Sequence, residues 1–404
     1  MQDAAGNSES AQSRSGTDFD LHGIVGIRLI DPTPGDVRAV RKQLGPIDAP
    51  LARTPDITIR FVDKLETTGA IQYLGLDEAG FTDDAFLILN HKHKSVRVRI
   101  PFEQIGGRCE IVCERGIPAV PLLVPIINLT ALSNGFVPLH AAAFHYHGRG
   151  VLVTGWSKGG KTEMLLGFLA RGAEYIGDEW VYISGEERRM FGIPEPIRMW
   201  DWHLTDLPEF RALLSFSERA RLKVLSAVTS AIGMFAGPNR PLHKISAFRK
   251  LLDLFKRQIF VDVDPQRLFG RKLTLMRGTV DDLLFVVSHD LPKTEARAVS
   301  SSEVAERMLA SLDYEEREFL RHYRMAQFAF PSLSNSMIEN ARAQRREILN
   351  KSLADVPAHA VYHPYPAQIP SLVGSVEPLL RQPSKSSPQK NQPTEPLRTG
   401  GIAK

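Results

Sequence analysis

Between residues 155 and 162 the chain reads Gly155-Trp156-Ser157-Lys158-Gly159-Gly160-Lys161-Thr162, filling every fixed position of the pattern Gly-x4-Gly-Lys-Ser/Thr. Each fixed residue meets one demand of holding a polyphosphate. Glycines let backbone N–H groups wrap the phosphate oxygens, and a following helix adds the positive end of its dipole. Lys161 neutralises charge and the Thr162 hydroxyl can ligate magnesium. A chance turn would account for Gly155 and Gly160 but gives no reason for Lys161-Thr162 at that offset. These residues are expected to cradle ATP with Mg²⁺. Lys158 reads as a solvated charge within the loop. Partition-type ATPases carry an extra lysine directly after the first glycine, where this chain has Trp156, so that subfamily is disfavoured.

Two acids follow in Gly177-Asp178-Glu179, with Asp178 seventeen residues after Lys161. Phosphoryl transfer needs one carboxylate to hold magnesium and can use another to accept the acceptor hydroxyl's proton, needs that a bare nucleotide-binding module does not have. The plainer reading is that the pair caps a strand and solvates a turn. His140, ahead of Ala141, Ala142 and Ala143, reads as equally suited to a packed interior and to a site.

The elements that must position these groups are readable around them. Val151–Thr154 is an apolar strand running into the loop, Lys161–Arg171 carries Met164, Leu165, Phe168 and Leu169 on one helical face, and Gly172 stops it. Tyr175–Asp178 and Trp180–Ile183 read as strands, and Val137–His145 as one strand entering the site. Upstream, strands are expected at Gly23–Ile30 and Asp56–Val62, a helix at Asp36–Leu44, hairpin arms at Ala85–Asn90 and Ser95–Ile100, and a further strand at Arg108–Cys113. Downstream, residues 205–260 read as basic and mostly helical, Leu283–Val287 as a buried strand, and Ser300-x-x-Glu303 as a capping box opening a helix to about Tyr323. A second helix is expected over 335–351. From about 375, Pro, Ser, Lys and Gln predict a disordered tail.

The run Leu139-His140-Ala141-Ala142-Ala143, Gly150–Gly155, Gly160-Lys161-Thr162-Glu163, Arg171-Gly172 and Gly177-Asp178-Glu179 resembles the HPr kinase/phosphorylase family in residues and spacing. The resemblance covers roughly 120–185, with a weaker echo through Val261–Val287. It implies a phosphate-loop kinase domain akin to phosphoenolpyruvate carboxykinases, acting on a serine of a protein or peptide. By matching motif it places Asp178 as general base, His140 against the transferring phosphate, and Thr162 with Glu179 at the magnesium. The family's second Asp is replaced by Glu179. Its Glu-x-Arg-Gly region has no clear counterpart; Glu195 or Arg198 could substitute, which puts the reverse phosphorylase activity in doubt.

The expected fold class is α/β, α+β overall. A flexible start (1–20) and a strand-rich αβ module (21–117) precede an ATP-binding catalytic domain (118–355), and a disordered tail (375–404) follows. The 404 residues carry 50 Lys plus Arg against 46 Asp plus Glu, a surplus too small to argue for nucleic acid. The start lacks a secretory pattern, and no stretch approaches the roughly 18 apolar residues of a membrane span; Val120–Leu132 is a buried helix instead. Two cysteines, Cys109 and Cys113, fall on one strand face and fit a reducing compartment, so the expected location is the cytoplasm. His91 with His93 and His145 with His147 alternate like metal ligands but sit at turn signals with no third ligand nearby. Trp200 and Trp202 read as packing residues, and the basic 205–260 segment as a solvated face rather than an acceptor-docking lid. Function is read as phosphoryl transfer from ATP to a hydroxyl acceptor, against an ATP hydrolase or a non-catalytic ATP-binding regulator. The acceptor, the donor preference and homo-oligomerisation are left open by the residues.

Overall fold

The computed structural model describes residues 17–76, 78–91, 94–236, 259–269 and 276–381. His93, residues 237–258 of the basic segment, and positions 1–16 and 382–404 lie outside the described residues. The architecture is mixed α+β with several sheets.

The first sheet joins β1 (Thr17–Leu21), β2 (Val25–Ile30), β3 (Ile57–Val62), β4 (Gln72–Leu74), β5 (Ala79–Phe81), β6 (Phe86–His91), β7 (Lys94–Arg99) and β8 (Cys109–Glu114) in the order β1-β2-β3-β8-β7-β6-β5-β4. In β3, Ile57, Ile59 and Phe61 are buried while Thr58, Arg60 and Val62 are less so, the alternation of a strand with one face on a core. Helix α1 (Pro34–Leu44) connects β2 to β3. Its start is set by a reciprocal cap: Asp36 N–H donates to Thr33 Oγ1 (3.3 Å) and Thr33 N–H to Asp36 Oδ2 (2.9 Å), with Pro34 in the first turn. Cys109 and Cys113 share the buried face of β8 as free thiols. Burial pushes the Cys109 thiol up to about 12 and that of Cys113 further still.

Helix α2 (Leu123–Ser133) is buried along most of its length, and its one buried amide, Asn128, accepts from the Tyr182 hydroxyl at 2.9 Å. No helix among the described residues is long and apolar enough to cross a membrane.

A second sheet, of six strands, carries the glycine-rich loop 155–162. It is built from β10 (Ala142–Tyr146), β11 (Arg149–Gly155), β12 (Glu174–Gly177), β18 (Asp282–His289), β19 (Glu295–Ala298) and β20 (Ala358–Pro364) in the order β12-β10-β11-β18-β20-β19, with β11, β18 and β20 parallel. A third sheet holds β9 (Phe136–His140), β13 (Trp180–Ser184), β14 (Arg189–Gly192) and β17 (Arg277–Thr279), while β15 (Ile197–Trp200) pairs with β16 (Phe260–Val263). Alternate residues of the six-stranded sheet feed two cores. Val151, Val153, Leu284 and Val286 face one cluster with α3 (Lys161–Ala170) and α11 (Ile369–Leu380). Leu152, Leu283 and Phe285 face the other, shared with α8 (Ser301–Glu315), α9 (Arg317–Ala329), α10 (Ser336–Ser352) and the first sheet. The remaining helices are α4 (His203–Asp206), α5 (Pro208–Leu213), α6 (Phe216–Ala236) and α7 (Pro265–Phe269).

Several boundaries differ from expectation. Val137–His145 is two strands, β9 and β10, parted at Ala141 and joining different sheets. The helix opened at Ser300 stops at Glu315, and a new one begins at Arg317. The expected capping box is not formed, since Ser300 makes no cap bond and its Oγ meets Ser302 Oγ at 2.6 Å. Residues 17–20, expected in the flexible start, belong to β1. Residues 375–380, expected in the tail, belong to α11, whose Leu372, Val373 and Val376 are fully buried. The sheet of the phosphate loop therefore recruits β20 and α11 from beyond residue 355.

Candidate active site

The site lies where two chain segments fork together. β9 pairs with β13 up to His140 opposite Trp180, and β10 pairs with β12 from Ala143 opposite Gly177. Between them Ala141 N–H donates to the Glu179 carbonyl at 3.1 Å. Each segment passes from one sheet to the other at this point, which leaves His140, Asp178 and Glu179 at the split. The turn is tight: Glu179 has φ 67° and Trp180 N–H donates to the Asp178 carbonyl at 2.9 Å.

The glycine-rich loop 155–162 runs from the end of β11 into α3. Gly155 approaches the β18 backbone so closely that a Cβ would stand 2.5 Å from the Val286 carbonyl oxygen. Gly160 has φ 104° in the left-handed region, and a Cβ there would meet His363 Nε2 at 2.6 Å. Lys161 is buried, with Nζ donating to the Gly155 carbonyl (3.2 Å) and the Trp156 carbonyl (3.0 Å). Burial lowers its pKa, against the pull of Glu179 and Asp178. Lys158 is exposed, in keeping with a solvated loop charge, and Ser157 is half-buried. Trp156 is exposed and its ring rests on Tyr314, centroids 4.8 Å apart.

Thr162 Oγ1 donates to Asp178 Oδ2 at 3.0 Å, with Oδ1 at 3.2 Å. Asp178 is 3 % exposed; burial first, then the adjacent Glu179 charge, pushes its carboxyl up to about 7. Glu179 turns the other way. Its Oε2 lies 3.0 Å from His140 Nε2, a hydrogen bond that holds the Glu179 pKa low, while His140 Nδ1 lies 2.9 Å from Glu315 Oε1. Burial works to lower the His140 pKa, but the two flanking carboxylates outweigh it and the net shift is upward. An imidazolium is the one form that donates from both nitrogens to both partners.

Loop and carboxylates thus meet, but the expected magnesium pair does not touch: the carboxylate on Thr162 is Asp178, and Glu179 is on His140. Among the described residues no group of three or more His, Cys, Asp or Glu is arranged to hold a metal ion by itself. His145 lies 4.0 Å from Glu174, and His147 occupies a positive-φ turn. The donors at the loop mouth are nevertheless hard oxygens, one hydroxyl and the neighbouring carboxylates. Mg²⁺ takes such a set when substrate phosphates and waters complete its octahedron.

Three residues outside the sequence reading support the site. Glu315, from the end of α8, holds His140. His363 of β20 is buried, with Nε2 2.8 Å from the Gly159 carbonyl. His203 of α4 accepts from Trp200 N–H at Nδ1 (3.3 Å), so its Nε2 carries the proton that faces Glu163 Oε1 at 3.1 Å. Each reaches its partner across at least 40 residues of sequence, beyond any local spacing signal. Glu195, singled out from the sequence, lies near enough to the pair for their charges to act on it; burial first, then Glu179 and Asp178, push its carboxyl well up. Arg198 pairs with Asp262 at 3.0 Å, and its charge contributes to lowering Glu179. Trp200 packs on Phe260 (5.3 Å) and Trp202 on His203 (4.0 Å), the packing roles expected of them.

Compared with models of known protein families and with curated proteins, the sequence matches none.

Proposed function

We propose that this protein is an ATP-dependent phosphotransferase that moves the γ-phosphoryl group to a hydroxyl acceptor, a serine of a protein or peptide being the class suggested by the HPr kinase resemblance. The observation that carries the reading is the meeting of a complete phosphate loop with a buried carboxylate, Asp178, whose pKa is raised to about 7. A buried carboxylate bonded to the loop's Thr162, its carboxyl raised by burial and by Glu179, suits proton removal from an alcohol beside the transferring phosphate.

In this mechanism Gly155 to Thr162 wrap the phosphates with backbone N–H groups, and Lys161 leaves its two loop carbonyls to bind the transferring group. The acceptor oxygen bonds to the γ-phosphorus as the bond to the β–γ bridging oxygen breaks. The hydroxyl proton passes to Asp178, and ADP departs with the bridging oxygen. Mg²⁺, held from the Thr162 hydroxyl and the adjoining carboxylates, would neutralise charge on the β- and γ-phosphates. His140, kept charged by Glu179 and Glu315, adds a fixed positive charge near the phosphate, its two N–H groups remaining on the carboxylates.

The Thr162–Asp178 contact favours a second assignment in which the two acids exchange roles, Asp178 standing by the metal and Glu179 with His140 receiving the proton. Under it, Asp178→Asn raises the Mg²⁺ concentration for half-maximal rate and Glu179→Gln lowers the rate at saturating Mg²⁺; under the first the effects are reversed. The reading as a whole is tested with γ-labelled ATP, Mg²⁺ and an extract of the source cells, with Lys161→Ala as control. Label on an extract component that requires Lys161 is the expected result. Free phosphate alone would make the protein a hydrolase, and bound but unconsumed ATP a nucleotide sensor.

A further inference from the structure

A groove of about 590 Å³ lies between β4 and α9, floored by Leu74, Leu320, Met325 and Phe328. Phe328 of its lining is 72 % exposed, and Tyr73 and Leu76, which flank Leu74 and Gly75 in sequence, are exposed at 67 % and 92 %. An apolar concentration of this kind, bordered by charge, marks an interaction surface more than chance exposure does. The border is basic, formed by Arg317, Arg321 and Arg324. Arg321 is occupied by Glu78 at 2.8 Å, but among the described residues Arg317 and Arg324 have no carboxylate partner.

Two further features select the occupant. β4 is the outermost strand of the first sheet, and no described residue pairs with its outer backbone edge. A free edge presents N–H and C=O groups in the register of another extended chain, which a peptide can fill and a nucleic acid cannot. The groove also connects to the phosphate loop: the Arg317 guanidinium stacks on Tyr314 at 3.6 Å, and Tyr314 lies against Trp156.

We infer that the β4–α9 groove docks an acidic, apolar-bearing segment of the acceptor, laid in extended form along β4, with its carboxylates on Arg317 and Arg324 and an apolar side chain against Met325 and Phe328. This deepens the kinase reading by naming the acceptor class as an acidic peptide segment; the docking itself does not require that reading. The stack of Arg317, Tyr314 and Trp156 then couples an occupied groove to the loop that holds the nucleotide.

The test uses a fluorescein-labelled synthetic peptide in which Glu alternates with Leu around one Ser, measured by anisotropy on the full chain without nucleotide. Controls are the same peptide with Lys for Glu, one with Ser for Leu, and a single-stranded oligonucleotide. The expected result is saturable binding of the Glu/Leu peptide alone, weakened about tenfold by Arg324→Glu and similarly by Phe328→Ser. Both side chains are partly or largely exposed, so the fold and ATP binding are expected to persist. Equal binding of the Lys peptide, insensitivity to both variants, preference for the oligonucleotide, or a change of oligomeric state in place of peptide affinity would each overturn the docking assignment. Docking that behaves as expected while Lys161-dependent transfer to the Ser fails would instead remove the kinase reading and leave the groove.

Discussion

At the scale of single residues the site turns on how two adjacent acids are separated in behaviour. Asp178 sits against Thr162 in a buried position and its carboxyl rises to about 7, while Glu179, one residue on, is held low by His140. Like charges in one cleft are kept apart by giving each a different partner. The rise at Asp178 also has a stability consequence. Between the ordinary value of 3.8 and about 7, the folded protein holds a proton that the unfolded chain has released. Stability from this group is therefore complete below about pH 4 and is lost as pH rises through 7, on the order of a few kcal/mol. Asp178→Asn keeps an acceptor for Thr162 but cannot ionise. The variant is expected to melt at a higher temperature than the parent at pH 8, with the gap closing towards pH 4, as differential scanning calorimetry across that range would show. The same substitution is expected to lower transfer by about 10²- to 10⁴-fold with ATP affinity largely kept. In the parent, kcat/KM should climb as pH passes 7; a flat profile would remove Asp178 from the role of base.

Secondary elements explain why some of this was legible in the sequence and some was not. The glycine-rich loop is a local object: β11, the five residues 156–160 and α3 are contiguous, so residue types at fixed offsets announce it. The fork at Ala141 is not local. Val137–His145 has the composition of one apolar strand, and only pairing with β13 on one side and β12 on the other divides it. The break at Glu316 is equally hidden: it coincides with a buried pair to Arg345 of α10 (2.7 Å from Nη1), a partner 29 residues away that no local pattern announces. That break is what ends α8 at Glu315, beside His140. Element geometry carries its own prediction at Gly160, where α3 starts from a left-handed residue pressed against His363 of β20. Gly160→Ala is expected to weaken ATP binding at least tenfold by calorimetric titration, combining about 1–2 kcal/mol of backbone strain with a steric clash. Adding His363→Ala relieves only the clash, so recovery should be partial. Full recovery would show that φ at this residue is not constrained, and no loss in the single variant would show that the loop binds nucleotide in another conformation.

Taken as a whole molecule, the chain divides at residue 117 by sheet but not by core. Strands β1 to β8 make one sheet of their own, yet one hydrophobic cluster runs from Phe19 through Phe102, Leu139 and Phe319 to Ala360. Polar contacts cross the same boundary. Asn335 caps α10 with its carbonyl and donates from Nδ2 to the Phe102 and Ile105 carbonyls, each at 2.8 Å, and His22 Nε2 lies 2.7 Å from the Gly192 carbonyl. Gly106 packs so tightly on α10 that a Cβ would stand 2.5 Å from Met337 Cγ. Phe102 in turn touches Phe319 and Tyr323, ring centroids 5.6 Å apart in both cases. Together α8, α9 and α10 therefore bridge the sheets, α9 lying against β5 of the first sheet, α8 against β11 of the six-stranded sheet and α10 against β9 and β13 of the third, and α8 supplies Glu315 to the site. Removing residues 17–117 would strip these helices of one face, exposing Phe319, Tyr323 and Ile338, each worth about 1.5–3 kcal/mol when buried, and orphaning the Asn335 amide. A domain stability of about 5–15 kcal/mol does not survive losses of that size repeated along three helices. A fragment of residues 118–381 is accordingly expected to be insoluble or to bind hydrophobic dye without a cooperative melt, where the full chain melts in one transition. A soluble monomeric fragment with a sharp melt and intact ATP binding would show that the shared core is dispensable, and that the first sheet is an attached recognition module instead of half of the scaffold that holds His140.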